Sequence, residues 1–184
     1  MERLRWLAFA RSMARAGYPD RSDRIAVLYQ RFMELRHDEV RLFDDTLAAL
    51  ADLRRQRLLA VITNGNTDLG RLGLEGMFDL VLSAQSCQLW KPDPQIFRLA
   101  ASTLDVPPAH AVHVGDAQRE DIAGARAAGM RAVWVNRRAA TRETWCEPDG
   151  EIRELSELPS LLDRLEQAEL APRVTDGNGL PPRG

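Results

Sequence analysis

Residues 111–129, AVHVGDAQREDIAGARAAG, decide the fold of this chain. The stretch begins with a short apolar run, residues 111–114, of the kind that forms a buried strand in a parallel sheet. Gly115 ends this run, and small or apolar residues then recur at helical spacing as far as Gly129, a residue that favours a helix end. The pattern predicts a strand, a tight loop and a helix in succession.

Two carboxylates follow the predicted strand, Asp116 directly after Gly115 and Asp121 at the start of the helix. Ligands of open α/β sheets bind at this carboxyl end of the strands. No Lys or Arg lies in an obvious pairing register with the two acids, so they suggest a hard cation such as Mg²⁺. The alternative is structural, with Asp116 as a helix cap and Asp121 as a solvated acid in the first turn.

Apolar strands alternate with amphipathic helices from residue 45 to residue 169. This alternation predicts an α/β, Rossmann-like fold, in which a doubly wound parallel sheet is covered by helices on both faces. Two more amphipathic helices precede it, and the last residues contain three prolines and three glycines without periodicity. We therefore divide the chain into a helical region (1–40), an α/β core (41–169) and a disordered tail (170–184). The predicted strands are 58–62, 78–82, 111–114 and 131–135, and the predicted helices are 3–16, 23–35, 45–55, 95–104 and 156–169.

The composition limits the classes of protein to which the chain can belong. Its 184 residues, 45% of them hydrophobic, are enough for one globular domain with a small appendage. The formal net charge of −2, with acids and bases interspersed, gives no reason to expect a nucleic-acid partner. No apolar run approaches the roughly 20 residues of a membrane span. The two cysteines lack the spacing of a metal site, and a reducing compartment is the simplest assumption, so we expect a cytoplasmic protein. No pattern in the sequence indicates an oligomeric state.

Two further strand ends carry polar residues. Thr63, Asn64 and Gly65 follow the first strand of the sheet, where a hydroxyl, an amide and backbone N–H groups suit phosphate oxygens. Lys91 lies in a Trp-Lys-Pro-Asp-Pro turn whose prolines fix the backbone and aim the ammonium. Taken alone, the first pattern is more typical of a helix cap before Asp68 and the second is more typical of a solvated lysine. Because both groups follow strands that end at the same edge of the sheet, a single site that binds an anion and a metal is favoured. His113 lies inside a strand and is interpreted as a core imidazole.

Three stretches resemble the second, third and fourth motifs of the haloacid dehalogenase-like hydrolase superfamily. They are residues 62–66 (ITNGN), 91–94 (KPDP) and 113–130 (HVGDAQREDIAGARAAGM), and the resemblance extends over roughly residues 45–165. The fourth is the most specific of the three. The resemblance implies a Mg²⁺-dependent phosphatase of the small-helical-cap branch, which forms a covalent aspartyl-phosphate from a small phosphorylated metabolite.

The resemblance also implies roles for individual residues. Thr63 would bind the transferring phosphoryl group with Asn64 beside it, and Lys91 would neutralise charge on the nucleophile and the phosphoryl oxygens. Asp116 would hold Mg²⁺, while Asp121 would support the metal or orient Lys91. The dehalogenase branch usually has Ser at the position of Thr63, so this residue favours a phosphatase.

The superfamily's first motif, an apolar strand followed by Asp-x-Asp-x-Thr, is not found before Thr63. Residues 43–47 (FDDTL) resemble the end of such a motif, but the nucleophile position would be Leu42. We therefore interpret Asp44 and Asp45 as acids at a helix N-terminus.

The helices within residues 3–35 resemble the later part of a helical cap. We therefore expect the chain to begin inside the cap, either truncated or naturally short, and to lack the first strand, which is a central strand of the sheet and whose loss exposes two unpaired edges. We expect the chain alone to be weakly stable and inactive. The alternative is a non-catalytic remnant that binds a phosphorylated ligand or a partner, and a receiver-type signalling domain ranks last.

Overall fold

The computed structural model describes residues 2–18, 22–38, 40–65 and 68–170. Helices α1 (Glu2–Arg15) and α2 (Ser22–Asp38) form the predicted pair, in which the Phe9 ring meets Tyr29 and Phe32 at centroid distances of 5.7 and 5.6 Å. No described helix is long and apolar enough to cross a membrane. The predicted disordered tail lies, from residue 171 onward, outside the described residues.

The α/β part begins with helix α3 and alternates strands with helices, as predicted. Its strands are β1 (Ala60–Thr63), β2 (Leu80–Ser83), β3 (Val112–Gly115), β4 (Arg131–Val135) and β5 (Gly150–Ile152). Its helices are α3 (Thr46–Arg54), α4 (Ala84–Cys87), α5 (Pro94–Thr103), α6 (Gly124–Ala127) and α7 (Leu158–Leu170). The short strand β5 lies in a stretch that the sequence pattern left irregular, because Gly-Glu-Ile contains no apolar run.

The described strands form two parallel sheets, which agrees with the expected loss of a central strand and its two unpaired edges. β1 pairs with β2, and β3, β4 and β5 form a second sheet in that order. Within the described part of the chain, no backbone hydrogen bond joins β1 to β3. The parallel α/β fold itself is confirmed.

Strand β4 is buried on both faces, which explains its uninterrupted apolar sequence. Ala132 and Trp134 face one apolar cluster, while Val133 between them faces another, because side chains alternate along a strand. The first cluster includes Ile96, Phe97, Ala101, Ile122 and Ala125, and the second includes Leu53, Ile152, Leu158, Leu161 and Leu162. Helices α5 and α6 therefore cover one face, and α3 and α7 the other.

Asp45 lies at the N-terminus of α3, as predicted, and also makes long-range contacts that the sequence did not predict. It precedes α3, but its side chain makes no capping bond. Its carboxylate instead accepts hydrogen bonds from Arg137 at 2.8 and 3.0 Å and from the backbone N–H of Leu155 at 2.5 Å. The Arg137 guanidinium also lies 4.0 Å from the centre of the Phe43 ring. Asp45 therefore ties the start of α3 to the segments that follow β4 and β5.

We expect Asp45→Ala to lower the free energy of unfolding by about 1.5 kcal/mol, because it leaves a half-buried guanidinium and a backbone N–H without their acceptor. Chemical denaturation followed by circular dichroism measures this change. Asp44→Ala is the matched control, since it removes an exposed acid and is expected to stay within about 0.5 kcal/mol of the wild type. Equal losses in the two variants would contradict the assignment.

Candidate active site

The centre of the site is an ion pair between Lys91 and Asp121. The ammonium Nζ lies 2.5 Å from Oδ1 of Asp121, and only 15% and 5% of the two side chains are exposed. Lys91 lies in the turn before α5, where its peptide bond to Pro92 is cis. The resemblance implied this contact when it gave Asp121 the task of orienting Lys91, whereas the local register showed no basic partner for the two acids. The partner comes from 30 residues upstream, a separation at which sequence register carries no information.

Asp121 uses both carboxylate oxygens in contacts with its surroundings. Oδ1 also lies 3.0 Å from His113 Nε2, and Oδ2 accepts a hydrogen bond of 3.0 Å from the backbone N–H of Ala117. Burial alone would raise the pKa of Asp121, but the hydrogen bond with His113 and the charge and hydrogen bond of Lys91 together hold the pKa well below its usual range. Asp121 is therefore ionised at neutral pH and fixed in place.

The segment that carries Asp121 is a π-helix, residues Gln118–Ala123, and not the first turn of an α-helix as predicted. The backbone N–H groups of Asp121 and Ile122 both donate to the carbonyl of Ala117, at 2.8 and 3.3 Å. Single π-helical turns of this kind are rare and occur frequently at functional sites. The sequence carried no signal for the wider turn.

Gly115 is required because the Asp121 side chain lies directly against its backbone. A Cβ added at Gly115 would lie 2.5 Å from the Cβ of Asp121 and closer still to its carboxyl carbon. We expect Gly115→Ala to displace Asp121 and to lower the free energy of unfolding by about 2 kcal/mol. Urea denaturation measures the loss.

The matched control is Gly70→Ala. A Cβ there would meet only the flexible side chain of Asp68, at 3.2 Å. This variant is expected to stay near the wild-type stability. A loss in Gly70→Ala as large as that in Gly115→Ala would contradict the close-packing argument.

Asn64 fixes the turn that carries Lys91. Its amide Nδ2 donates to the carbonyl of Lys91 at 2.9 Å, and the backbone N–H of Lys91 donates to Asn64 Oδ1 at 2.8 Å. Neighbouring Thr63 accepts a hydrogen bond at its Oγ1 from the N–H of Gly65, at 2.9 Å. Asn64 is therefore not a helix cap, the alternative left open by the sequence. The contacts run from the end of β1, through Lys91, to Asp121 beyond the end of β3.

Asp116 is exposed, and its carboxylate makes no hydrogen bond or ion pair with a described residue. Its carbonyl accepts a hydrogen bond of 3.0 Å from Trp134 Nε1, which fixes the backbone at this point. The residue before the π-helix is Ala117, so Asp116 does not cap it. The structure thus leaves the Asp116 carboxylate free to act as an oxygen ligand.

The two aspartates differ in how well they fit a magnesium ion. Mg²⁺ is commonly held by one or two carboxylates together with water and substrate phosphate oxygens. Asp116 suits that donor set, whereas both oxygens of Asp121 already accept bonds from Lys91, His113 and Ala117. Among the described residues, no group of three or more His, Cys, Asp or Glu side chains could hold a metal by itself. A cation at Asp116 therefore needs oxygens from a bound ligand or from water.

His113 has a larger role than the sequence suggested. Its ring is half-buried, packs edge-on against Phe97 with centroids 4.9 Å apart, and contacts Asp121. The imidazole has a hydrogen-bond partner, as expected for a core histidine, and that partner is Asp121 of the candidate site. Side chains alternate along a strand, so His113 and Gly115 lie on the same face of β3. This alternation could have predicted that both residues contact the same side chain, which is that of Asp121.

A cavity of about 750 Å³ opens beside Asp116. Its wall includes Arg119, whose role the sequence left open, together with Arg138 and Trp145. The cavity therefore offers cationic side chains and an aromatic ring next to the free carboxylate.

The described residues combine a parallel α/β fold with a lysine–aspartate pair and an aspartate whose carboxylate is free of protein contacts, all near the carboxyl ends of the strands. The family model for haloacid dehalogenase-like hydrolases matches residues 1–129. The chain therefore belongs to this family, which confirms the resemblance found in the motifs.

The similar proteins include both phosphatases and dehalogenases. The chain is 38% identical over 148 residues to a phosphoserine phosphatase of Thermus thermophilus, which covers 77% of this chain and 58% of that protein. It is 31% identical over 158 residues to (S)-2-haloacid dehalogenase 1 of a Pseudomonas species, covering 82% and 67% of the two chains. The crystal structure of a 2-haloacid dehalogenase from Pseudomonas syringae has a TM-score of 0.73 at 39% identity, covering 89% and 72%. The chain thus spans little more than half of the Thermus enzyme.

Proposed function

We propose that this chain carries the phosphate- and metal-binding edge of a Mg²⁺-dependent phosphatase that acts on a small phosphorylated metabolite. The observation that carries the proposal is the Lys91–Asp121 pair, which is held by Asn64 at one strand edge, with a free carboxylate at Asp116 on the loop after β3. Phosphoryl transfer depends mainly on alignment and on neutralising charge, and these groups suit both tasks.

Each residue has a defined task in this proposal. The Lys91 ammonium neutralises phosphoryl oxygens, and Asp121 and Asn64 hold it in position. The Thr63 hydroxyl donates to a phosphoryl oxygen, while Asp116 holds the metal. Mg²⁺, when bound, supplies positive charge to the phosphoryl group.

The lysine itself supports this assignment. Lys91 is the only lysine among the 25 basic residues of the sequence, all others being arginine. A compact ammonium on a flexible stem can reach both Asp121 and a phosphoryl oxygen in a narrow space, whereas a planar guanidinium is suited to fixed bidentate contacts. We therefore expect Lys91→Arg to weaken phosphate binding although it preserves the charge.

The reaction also needs a nucleophile. The proposed mechanism passes through an aspartyl-phosphate, and no Asp of this sequence lies in a matching Asp-x-Asp-x-Thr motif. We therefore expect the 184-residue chain to bind phosphate without hydrolysing phosphate esters. The second candidate is a protein that binds a phosphorylated ligand or a partner without catalysing a reaction. The missing Asp-x-Asp-x-Thr motif supports this candidate as well.

Calorimetric titration with inorganic phosphate, with and without Mg²⁺, tests the proposal. We expect binding that requires Mg²⁺ and weakens at least tenfold in Asp116→Asn, while Glu120→Gln, which removes a nearby acid outside the proposed site, binds like the wild type. If the affinity for phosphate is the same with and without Mg²⁺ and is unchanged in Asp116→Asn, the assignment of Asp116 as the metal ligand is overturned. Ready hydrolysis of p-nitrophenyl phosphate by the chain alone would contradict the expected inactivity.

A further inference from the structure

The cavity of about 750 Å³ beside Asp116 has two arginines in its wall that have no partner in the described part of the protein. Arg119 lies on the π-helix after β3, and Arg138 lies on the loop after β4. Both residues are exposed, and neither guanidinium makes an ion pair or a hydrogen bond within residues 2–18, 22–38, 40–65 and 68–170. All their N–H groups are therefore available to a bound group.

The charge of a third arginine in the wall is already used. The Arg137 guanidinium is held by both carboxylate oxygens of Asp45 and lies against the Phe43 ring. Besides Asp116, which the proposed function assigns to the metal, the one acid in the described wall is Glu143. Two free guanidinium groups against one carboxylate leave a single positive charge without compensation in the cavity.

The loop that carries Arg138 is fixed by a buried side chain. Asn136, which is 6% exposed, donates from Nδ2 to the carbonyl of Ala140 at 3.0 Å and to Oε1 of Glu151 at 2.7 Å. Its Oδ1 accepts the N–H of Ala140 at 2.8 Å. Ala139 has a φ of 50°, in the left-handed region that residues with a Cβ rarely adopt. The bonds of Asn136 therefore hold an unfavourable loop conformation in place.

The segment that carries Arg119 is fixed to the same side of the cavity by Gln118. Its Nε2 donates to the carbonyl of Thr141 at 3.0 Å, and its Oε1 accepts the N–H of Glu143 at 2.8 Å. These bonds join the π-helix to the stretch that continues the loop after β4. Both free arginines therefore extend from backbone segments that are bonded to each other around one cavity.

We propose that Arg119 and Arg138 form a carboxylate subsite, and that the substrate is a small phosphorylated carboxylic acid whose phosphoryl group lies at Asp116 and Lys91. This inference rests on the proposed function and deepens it by naming the second charged group of the substrate. A guanidinium matches the planar geometry of a carboxylate, to which it can donate two parallel hydrogen bonds.

The charge in the cavity favours a carboxylate over a second phosphate. A carboxylate carries one negative charge, which equals the charge left uncompensated in the wall, whereas a phosphate monoester carries about −1.5 to −2. The wall also has an apolar surface for the carbon atoms of the substrate, since Leu155 and the 54% exposed indole of Trp145 belong to it. The cavity volume is within the range of about 300–1,000 Å³ that is usual for small-molecule sites.

Calorimetric titration of the 184-residue chain with 3-phosphoglycerate and with glycerol 3-phosphate, both with Mg²⁺, tests the subsite. The two esters differ only in that a carboxylate of the first is a hydroxymethyl group in the second. We expect 3-phosphoglycerate to bind at least tenfold more tightly. Equal affinities for the two esters would overturn the proposal.

Three variants locate the carboxylate. Arg119→Gln and Arg138→Gln each remove one positive charge from the wall, whereas Arg142→Gln removes the same charge from an exposed residue outside it. We expect each of the first two to weaken binding of 3-phosphoglycerate at least fivefold and that of glycerol 3-phosphate less than twofold. Arg142→Gln is expected to change both affinities less than twofold.

Two results with these variants would overturn the proposal. The first is a preference for 3-phosphoglycerate that persists in both cavity variants, which would mean that the carboxylate binds elsewhere, for example on Mg²⁺. The second is an equal effect of Arg142→Gln, which would mean that only the overall charge matters.

Inorganic phosphate in the same buffer separates this proposal from the proposed function. If phosphate binds and the two esters bind equally, the subsite is overturned and the proposed function stands. If neither phosphate nor glycerol 3-phosphate binds, the proposed function fails, and the carboxylate subsite fails with it.

Discussion

Lys91→Met is expected to lower the free energy of unfolding by about 3 kcal/mol, the largest effect of any single substitution considered for this chain. The substitution keeps the length and apolar character of the side chain but removes the ammonium. Asp121, with 5% of its side chain exposed, then remains as a buried carboxylate with only His113 and the N–H of Ala117 to compensate it. Removing one partner of a buried pair costs about 3–5 kcal/mol for this reason.

Urea denaturation of four proteins measures this effect: the wild type, Lys91→Met, Asp121→Asn and the double variant. We expect the double variant to lose less stability than the sum of the two single variants, because the uncompensated charge is absent from it. Strictly additive losses would mean that the two side chains do not interact in solution.

Acid is expected to destabilise the wild type more than Asp121→Asn. Burial raises the pKa of Asp121, but His113 and Lys91 outweigh burial and bring the folded-state pKa below its ordinary value of 3.8. A carboxylate with a lowered pKa contributes stability above its unfolded-state pKa and loses it as the pH falls toward the folded-state value. The contribution is therefore complete at neutral pH and declines below about pH 4.

The expected size of this acid-sensitive contribution is about 2.5 kcal/mol, which is typical of a carboxylate paired in the folded state. Denaturation curves recorded between pH 7 and pH 2 measure it as the difference between wild type and Asp121→Asn. Other carboxylates, such as Asp45, titrate in both proteins and cancel in the difference. Parallel pH profiles for the two proteins would show that the Asp121 carboxylate has no lowered pKa.

The local pattern of the sequence predicted much of the α/β architecture. Strand β4 has the predicted bounds, residues 131–135, and the strand predicted at residues 111–114 is displaced by only one residue. These elements are buried, so their residue types and their period directly reflect the fold. The common edge of the parallel strands also brought Asn64 and Lys91 together, as their positions after two strands suggested.

The contacts that the sequence did not predict join distant residues. Asp45 and Arg137 are 92 residues apart, so no periodicity relates them, and the contact between Lys91 and Asp121, which are 30 apart, was implied by the motif resemblance and by no periodicity. The π-helical turn and the packing of Asp121 against Gly115 within it had no counterpart in the sequence pattern.

The central claim is that the Lys91 ammonium, held by Asp121, forms part of a phosphate site with Asp116. Because Lys91 is the only lysine, ¹³C-lysine labelling during expression gives one labelled side chain, and its Cε signal reports directly on the ion pair. We predict that this signal shifts on titration with inorganic phosphate in the presence of Mg²⁺, and that Asp116→Asn abolishes the shift. A Cε signal that stays unchanged at saturating phosphate and Mg²⁺ would contradict the account.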